Sequence, residues 1–243
     1  MRTGNPVLSD KSFNVSSVGS ERMTIEGVVN KSAILLGLLF ISAYWVWDKY
    51  FQTLIYSDVA LYMWGGIIGG FIVAIVTTFK PNIANITAPV YALLEGLALG
   101  GISAYLETRF PGIVIQAVAL TFAVFFSLLV AYRSGLIKVT ENFKLMVVSA
   151  TGGIFLVYML SFVLGMFGIS MPLIHDNGLF GILFSLAVIA IAAMNLVLDF
   201  DFIESGVEKG APKYMEWYAS FGLLVTLVWL YIEILRLLAK ARR

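Results

Sequence analysis

The chain has no cysteine and only one histidine among its 243 residues. The first absence excludes disulfide bonds, thiolate metal sites and cysteine nucleophiles together. The single histidine, His175, excludes a metal site built from several imidazoles. Nucleophile-elbow, phosphate-loop, zinc-protease and dinucleotide-binding motifs are absent as well. We therefore expect a protein that is not an enzyme and that holds no cofactor.

Charge is also scarce. Only 13% of the residues are charged, 60% are hydrophobic, and the mean hydropathy is +0.91. A soluble globular chain carries roughly 25% charged residues. The net charge of +1, with no basic face, predicts no binding of nucleic acid. This composition indicates an all-α polytopic membrane protein whose partner is the lipid bilayer.

Seven apolar runs follow a polar beginning. Residues 1–31 are rich in Ser, Asn and Gly, and we expect a flexible arm there, with a short interface helix near its end. Residues 32–243 are then predicted to form one seven-helix transmembrane domain. Each run is close to the ~20 residues that cross a bilayer, the first being the shortest. The runs cover residues 33–47, 59–79, 86–106, 113–132, 145–167, 178–198 and 217–238.

The distribution of lysine and arginine predicts the orientation. With a cytoplasmic N-terminus, most of these cations fall on the inner side, and the outer loops hold only Lys49 and Arg109. Cytoplasmic loops carry such an excess. The tail after the seventh run, with Lys240 and Arg242, opposes this orientation but is a weak topological signal. The prediction is a multi-pass protein with its N-terminus in the cytoplasm.

The first charges after the sixth run are Asp199 and Asp201. Carboxylates at the end of an apolar helix are costly unless they are solvated, paired or protonated, so they are functional candidates. Residues two apart point about 200° away from each other, whereas Asn195 and Asp199 share a face. Oxygen atoms on either face suit a hard cation such as Ca²⁺. The simpler interpretation is that both acids are solvated at the inner end of the helix.

Glu95 lies near the middle of the third run. An ionised carboxylate at that depth must pair, meet water or take up a proton. One interpretation is a proton or cation site, and the other is a protonated acid that bonds a neighbouring helix carbonyl.

Three further charged groups have a simple explanation. Glu233 precedes Arg236 by three residues, which favours an ion pair within one helix. Lys80 ends the second run on the same side as Asp199 and could latch that acid, although its ammonium is more easily placed at the interface. His175 could sense pH, but an exposed loop position explains it equally well.

The chain resembles the Bax inhibitor family, also called TMBIM, including its bacterial YccA-like and YetJ-like members. The resemblance rests on the seven apolar runs, the sequence EGLALGG in the third, the acid that closes the sixth and the compact helical C-terminus. The polar arm, with NPVL and MTIEGVVNKS, is similar to a bacterial branch. The resemblance implies six helices around a central seventh, the cytoplasmic membrane of a bacterium, and a pH-sensitive calcium leak.

In that family an aspartate at the end of helix six shares a proton with one on helix seven, and a basic residue can latch the acids. Asp199 or Asp201 matches the first aspartate, because the family's D-T-Q pattern reads DFD here. The second aspartate has no match: Thr226 stands at the expected spacing, and Glu233 follows about two turns later. Lys80 is the nearest counterpart of the latch by position.

Three functions remain after this comparison. The first is a proton-regulated cation leak, most simply for Ca²⁺, in which the acids attract the ion. The second, implied by the resemblance to YccA-like proteins, is a regulator of a membrane protease or of a stress response, without transport activity, in which the polar arm matters more than the acids. The third is a proton-coupled transporter that uses Glu95, for which the expected inverted repeat is not evident.

Overall fold

A computed structural model describes residues 22–168, 171 and 178–242. Most of the polar arm, and His175 in the loop after the fifth helix, lie outside these residues. The described part is helical, with seven helices long and apolar enough to cross a membrane. This confirms the predicted all-α, seven-span class. The elements are α1 (Ile25–Thr53), α2 (Ser57–Phe79), a 3-10 turn (Pro81–Ile83), α3 (Ala84–Arg109), α4 (Ile113–Arg133), α5 (Glu141–Met166), α6 (Leu179–Glu208) and α7 (Met215–Ala241).

Short connections make successive helices antiparallel, so the bundle has two ends. We call the end where α1, α3, α5 and α7 begin the proximal end, and the other the distal end. Local signals set several helix starts. The Thr24 and Thr140 hydroxyls accept from the Gly27 and Phe143 amides at 3.0 and 3.2 Å and so cap α1 and α5. The Glu107 carboxylate accepts from the Val114 amide at 3.0 Å at the start of α4.

Each of the seven helices is longer than the apolar run that predicted it, and the extensions of α1 and α6 are the largest. α1 begins at Ile25, so the end of the predicted arm belongs to the first transmembrane helix instead of forming a separate interface helix. α6 continues to Glu208, well beyond residue 198, where the sixth run ends. Hydropathy locates the apolar part of a helix but not the polar turns that extend it.

The centre of the bundle is α7. It packs against α1, α3, α4 and α6, and most of its side chains are buried. α2 packs mainly on α3, and α5 mainly on α6. Val147 is the buried residue of α5, and the rest of that helix is largely exposed around its circumference. The arrangement is a bundle around the seventh helix, as the resemblance implied, with α5 its least embedded member.

Glycines allow α3 to lie against both α1 and α2. A Cβ atom at Gly96 or Gly100 would meet the backbone carbonyl of Leu39 or Ala43 on α1. A Cβ at Gly66 on α2 would lie 2.8 Å from the Ala98 amide nitrogen of α3. Close backbone approach of this kind is what small residues permit in membrane helices. Gly66, Gly96 and Gly100 therefore serve helix packing.

At the proximal end, the start of α1 is tied to the start of α7. The Glu216 carboxylate is fully buried. It accepts from the Lys31 ammonium at 2.5 Å and from the Thr24 amide and hydroxyl, each at 3.0 Å. The Met23 amide donates to the Ala211 carbonyl at 2.8 Å, in the turn between α6 and α7. These contacts, which we call the N-terminal strap (Arg22–Lys31), fix the point at which the preceding residues join the bundle.

Candidate ion site at the interface of α5, α6 and α7

Asp199 lies inside the bundle and not at its rim. Because α6 continues to Glu208, Asp199 is roughly 13 Å along the helix from the proximal end. Its Oδ2 atom is buried and has no hydrogen-bond partner in the described part of the chain. The prediction that this acid sits at the mouth of the sixth span therefore needs correction, since the carboxylate is buried inside the proximal half of the bundle.

The polar neighbour of Asp199 is Thr226 on α7. The Thr226 hydroxyl also donates to the Gly222 carbonyl at 3.2 Å, as serine and threonine in membrane helices commonly do. Among the described residues, no lysine or arginine forms an ion pair with Asp199. A buried carboxylate with an unsatisfied oxygen is costly, and it has one hydroxyl beside it. Thr226, at the spacing where the resemblance led us to expect a second aspartate, thus faces Asp199.

Asp201 points away from Asp199, as the helical spacing required. The Lys144 ammonium at the start of α5 lies 3.0 Å from the Asp201 Oδ2 atom and 3.4 Å from the Glu141 carboxylate. Lys144, and not Lys80, is therefore the cation that contacts an acid of the DFD sequence. Lys80 is exposed at the end of α2, and no ion pair is seen for it among the described residues.

Asn195 joins α6 to α5 at mid-depth. Its side-chain amide donates to the Thr151 hydroxyl at 2.8 Å and to the Ile191 carbonyl at 2.9 Å. Asn195 and Asp199 therefore occupy one side of α6 but contact different helices. The predicted shared face is present, and its two residues do not converge on one ligand.

Glu233 forms the predicted ion pair with Arg236, at 3.1 Å. The Tyr158 hydroxyl of α5 donates to the same Glu233 Oε1 atom at 2.9 Å, and Arg236 donates to the Tyr158 hydroxyl at 2.8 Å. Glu233 is only 1% exposed. The pair is therefore a three-group network that connects α5 with α7 in the distal half of the bundle.

The three α5 residues in these contacts recur at every seventh position, which places Lys144, Thr151 and Tyr158 on one stripe of the helix. Each meets a polar side chain of α6 or α7 at a different depth. The least embedded helix is thus held to the bundle by polar contacts along much of its length. We call this set the polar seam, and its members are Lys144, Thr151, Tyr158, Asn195, Asp199, Asp201, Thr226, Glu233 and Arg236.

Glu95 belongs to a different interface. The Tyr91 hydroxyl of the same helix donates to its carboxylate, and a Cβ at Gly70 of α2 would lie 3.1 Å from the Glu95 Oε2 atom. Tyr91 in turn packs edge-on against Phe221 of α7, with 5.0 Å between ring centroids. The structure therefore does not bring Glu95 together with the acids of α6.

Sequence reasoning missed the α5 side of the seam. Lys144, Thr151 and Tyr158 were not proposed as site residues, although their spacing of seven was readable from the sequence. A lysine, a threonine and a tyrosine are unremarkable in a membrane helix until their neighbours are known. Among the described residues no group of three or more acids or histidines could hold a metal ion. The acids of the seam therefore lie singly at different positions along its length and do not cluster around one point.

The architecture and the chain as a whole were compared with known proteins. The model of the family described as Bax inhibitor 1 like matches residues 5–243. No curated protein and no solved structure matches the chain at a significant level. The family match spans almost the whole sequence and includes all seven helices. This protein is therefore a multi-pass membrane protein that belongs to the Bax inhibitor 1 like family.

Proposed function

We propose that the protein is a proton-regulated leak for cations, with Ca²⁺ the favoured ion, and that the polar seam is its path. The observation that carries this proposal is the buried Asp199 carboxylate, which has an unsatisfied oxygen and no ion pair in the described part of the chain. Ionisable groups inside a membrane bundle usually mark ion or proton pathways. An oxygen that the protein leaves unpaired is available to a passing hard cation.

The spacing of the acids suits the passage of a cation better than the permanent binding of one. Asp201, Asp199 and Glu233 lie at successive depths from the proximal to the distal half. Conduction needs sites that attract an ion but release it again. A resident metal would instead need several ligands around one point, and no such group occurs in the described chain.

In the arrangement described, two cations of the protein itself occupy the seam. Lys144 neutralises Asp201 near the proximal end, and Arg236 neutralises Glu233 in the distal half. Both would repel an entering cation, so this arrangement corresponds to a closed path. Movement of α5 would separate Lys144 from Asp201 and Tyr158 from Glu233, and α5 has little buried surface to resist it. We propose that α5 is the moving part.

Asp199 is the residue through which pH would control the flux. When Asp199 takes up a proton, it loses its attraction for a divalent ion and can donate a hydrogen bond to Thr226. The flux should therefore fall as the pH is lowered. We place the proximal end in the cytoplasm because the described cations Lys80, Arg133, Lys138, Lys144 and Lys209 lie there.

The test is calcium flux into liposomes that contain the purified protein, measured with an enclosed dye from pH 5 to pH 8. We expect the double variant Asp199→Asn with Asp201→Asn to lose the pH dependence and to pass at least about tenfold less Ca²⁺, because an amide keeps the shape but not the charge. The matched control is Asp58→Asn, an exposed aspartate at the start of α2, which should behave as the wild type. Unchanged flux and pH dependence in the double variant would remove the proposal.

A second function is supported by the N-terminal strap. The buried Glu216–Lys31 pair holds the chain at the point from which residues 1–21 depart, which suits an arm that engages a partner beside the bundle. We propose as the alternative a regulator of a membrane protease. Deletion of residues 1–21 should then abolish co-purification with the protease, and the full-length protein should pass no Ca²⁺ in liposomes, because this regulator has no transport activity. If the deletion leaves co-purification intact, the arm is not the contact and this alternative fails.

A further inference from the structure

An apolar cavity of about 270 Å³ lies on the side of α7 opposite the polar seam. Its inner wall consists of α3 and α7, and its flanks are α1 and α4. On α7 the lining residues include Leu224, Val228 and Tyr231. Thr226 stands about 200° around the helix from Leu224 and faces Asp199. One helix therefore separates a polar interface from an apolar cavity.

The cavity opens sideways into the membrane. α1 and α4 form no extended contact with each other, although both pack on the helices behind the cavity. Phe40 and Tyr44, which line it from α1, are 45% and 69% exposed. These residues lie within a membrane-spanning helix, so the medium at the opening is hydrocarbon.

Three hydroxyl groups of the cavity wall already form hydrogen bonds within the protein. The Ser103 and Tyr231 hydroxyls lie 2.7 Å apart and share a hydrogen bond. The Thr121 hydroxyl donates to the Ala117 carbonyl, also at 2.7 Å. These three hydroxyls are therefore engaged, and the remaining wall is mostly aliphatic and aromatic surface, which favours an apolar occupant.

We propose that this cavity binds one acyl chain of a bilayer phospholipid. The opening faces acyl chains and its walls are apolar, so a chain enters without dehydrating polar groups. The volume exceeds the ~150 Å³ of an apolar cavity that takes up benzene. The cavity begins near Val114 in the first turn of α4 at the distal end, so the lipid belongs to the distal leaflet.

The lipid headgroup would lie near the turn between α3 and α4. The Arg242 guanidinium, exposed there, donates to the Pro111 carbonyl at 2.9 Å and to the Gln116 side chain at 2.8 Å. Arg109 lies at the end of α3 beside the same turn. Cationic side chains at this level match the phosphate of a lipid whose chain occupies the cavity. The site is distinct from the seam and does not depend on the proposed ion leak.

The test uses substitutions that fill the cavity and measures how much phospholipid stays bound to the protein. Val118 on α4 lines the cavity, and Val118→Phe occupies part of it. Val130→Phe on the same helix is the matched control, because Val130 is 67% exposed and does not line the cavity. Native mass spectrometry of protein extracted in mild detergent should find one retained phospholipid in the wild type and in Val130→Phe. In Val118→Phe the lipid-bound fraction should fall about tenfold.

A second filling variant, Ala43→Leu on α1, guards against a folding defect in the first. It should lose the lipid as Val118→Phe does, with the far-UV circular dichroism of the wild type. Equal lipid retention in the filled variants and the control would overturn the proposal. So would a change from oligomer to monomer in place of lipid loss, because the occupant would then be a second copy of the chain.

Discussion

In a pair formed by a carboxylate and a threonine, the carboxylate is the one group that can take up a proton. Asp199 and Thr226 form such a pair between α6 and α7. In the family that the sequence resembles, the second position is an aspartate, and the two acids share a proton. The single acid of this chain should therefore give a simpler pH response than a pair of acids.

The substitution Thr226→Asp tests this at the level of one residue. Two adjacent carboxylates cannot both carry charge cheaply, so they retain a shared proton to higher pH. The midpoint of the flux-against-pH curve in liposomes should move upward, by about one pH unit or more. The control Thr226→Val keeps the shape without an acid and should leave the midpoint near that of the wild type. A Thr226→Asp midpoint at the wild-type position would mean that Asp199 does not govern the flux.

The contacts of some residues could be predicted from the sequence, and the contacts of others could not. The Glu233–Arg236 pair was predictable, because helical spacing within one segment determines it. Tyr158, which bonds both of these residues, was not, because its role depends on α5 lying beside α7. The Lys144–Asp201 contact was hidden for the same reason, and Lys80 was considered instead.

Helices were predictable where hydropathy defines them and not at their polar ends. All seven spans follow from runs of apolar residues close to bilayer length. The extension of α6 to Glu208 adds nearly three turns whose polar residues carry no hydropathy signal. Because of that extension, Asp199 lies in the interior of the bundle and not at its rim. The predicted position of the site was wrong because the end of the helix was predicted too early.

Glycine contacts make a prediction at the level of helix pairs. Gly65 and Gly66 are neighbours on α2, but a Cβ at Gly65 meets nothing within 4 Å, whereas one at Gly66 meets the backbone of Leu94 and Ala98. Gly66→Ala should lower the free energy of unfolding by about 1–3 kcal/mol, because α2 and α3 must move apart. Gly65→Ala, the matched control, should change it little. Thermal unfolding in detergent measures both, and equal effects would contradict the packing described.

The whole molecule is organised around α7, whose faces meet different surroundings. The face with Thr226 and Glu233 lies against the polar seam, and the face with Leu224 and Val228 lines the apolar cavity. Glu216 anchors the beginning of the helix to α1, and Lys240 near its end donates to the Gly181 carbonyl at 3.0 Å. With both ends of α7 held, the loosely packed α5 is the helix whose displacement would open the seam.

If water and cations reach the seam beside Asp199, a thiol placed there can be modified from water, and the chain has no native cysteine that would react in its place. Thr226→Cys places a single thiol next to Asp199, and Leu224→Cys places one on the opposite face of α7. Thiols react as thiolates and need contact with water. We predict that a cationic thiosulfonate reagent modifies Thr226→Cys during calcium flux and blocks that flux, while Leu224→Cys stays unmodified. A Thr226→Cys protein that conducts Ca²⁺ and remains unmodified would contradict the account.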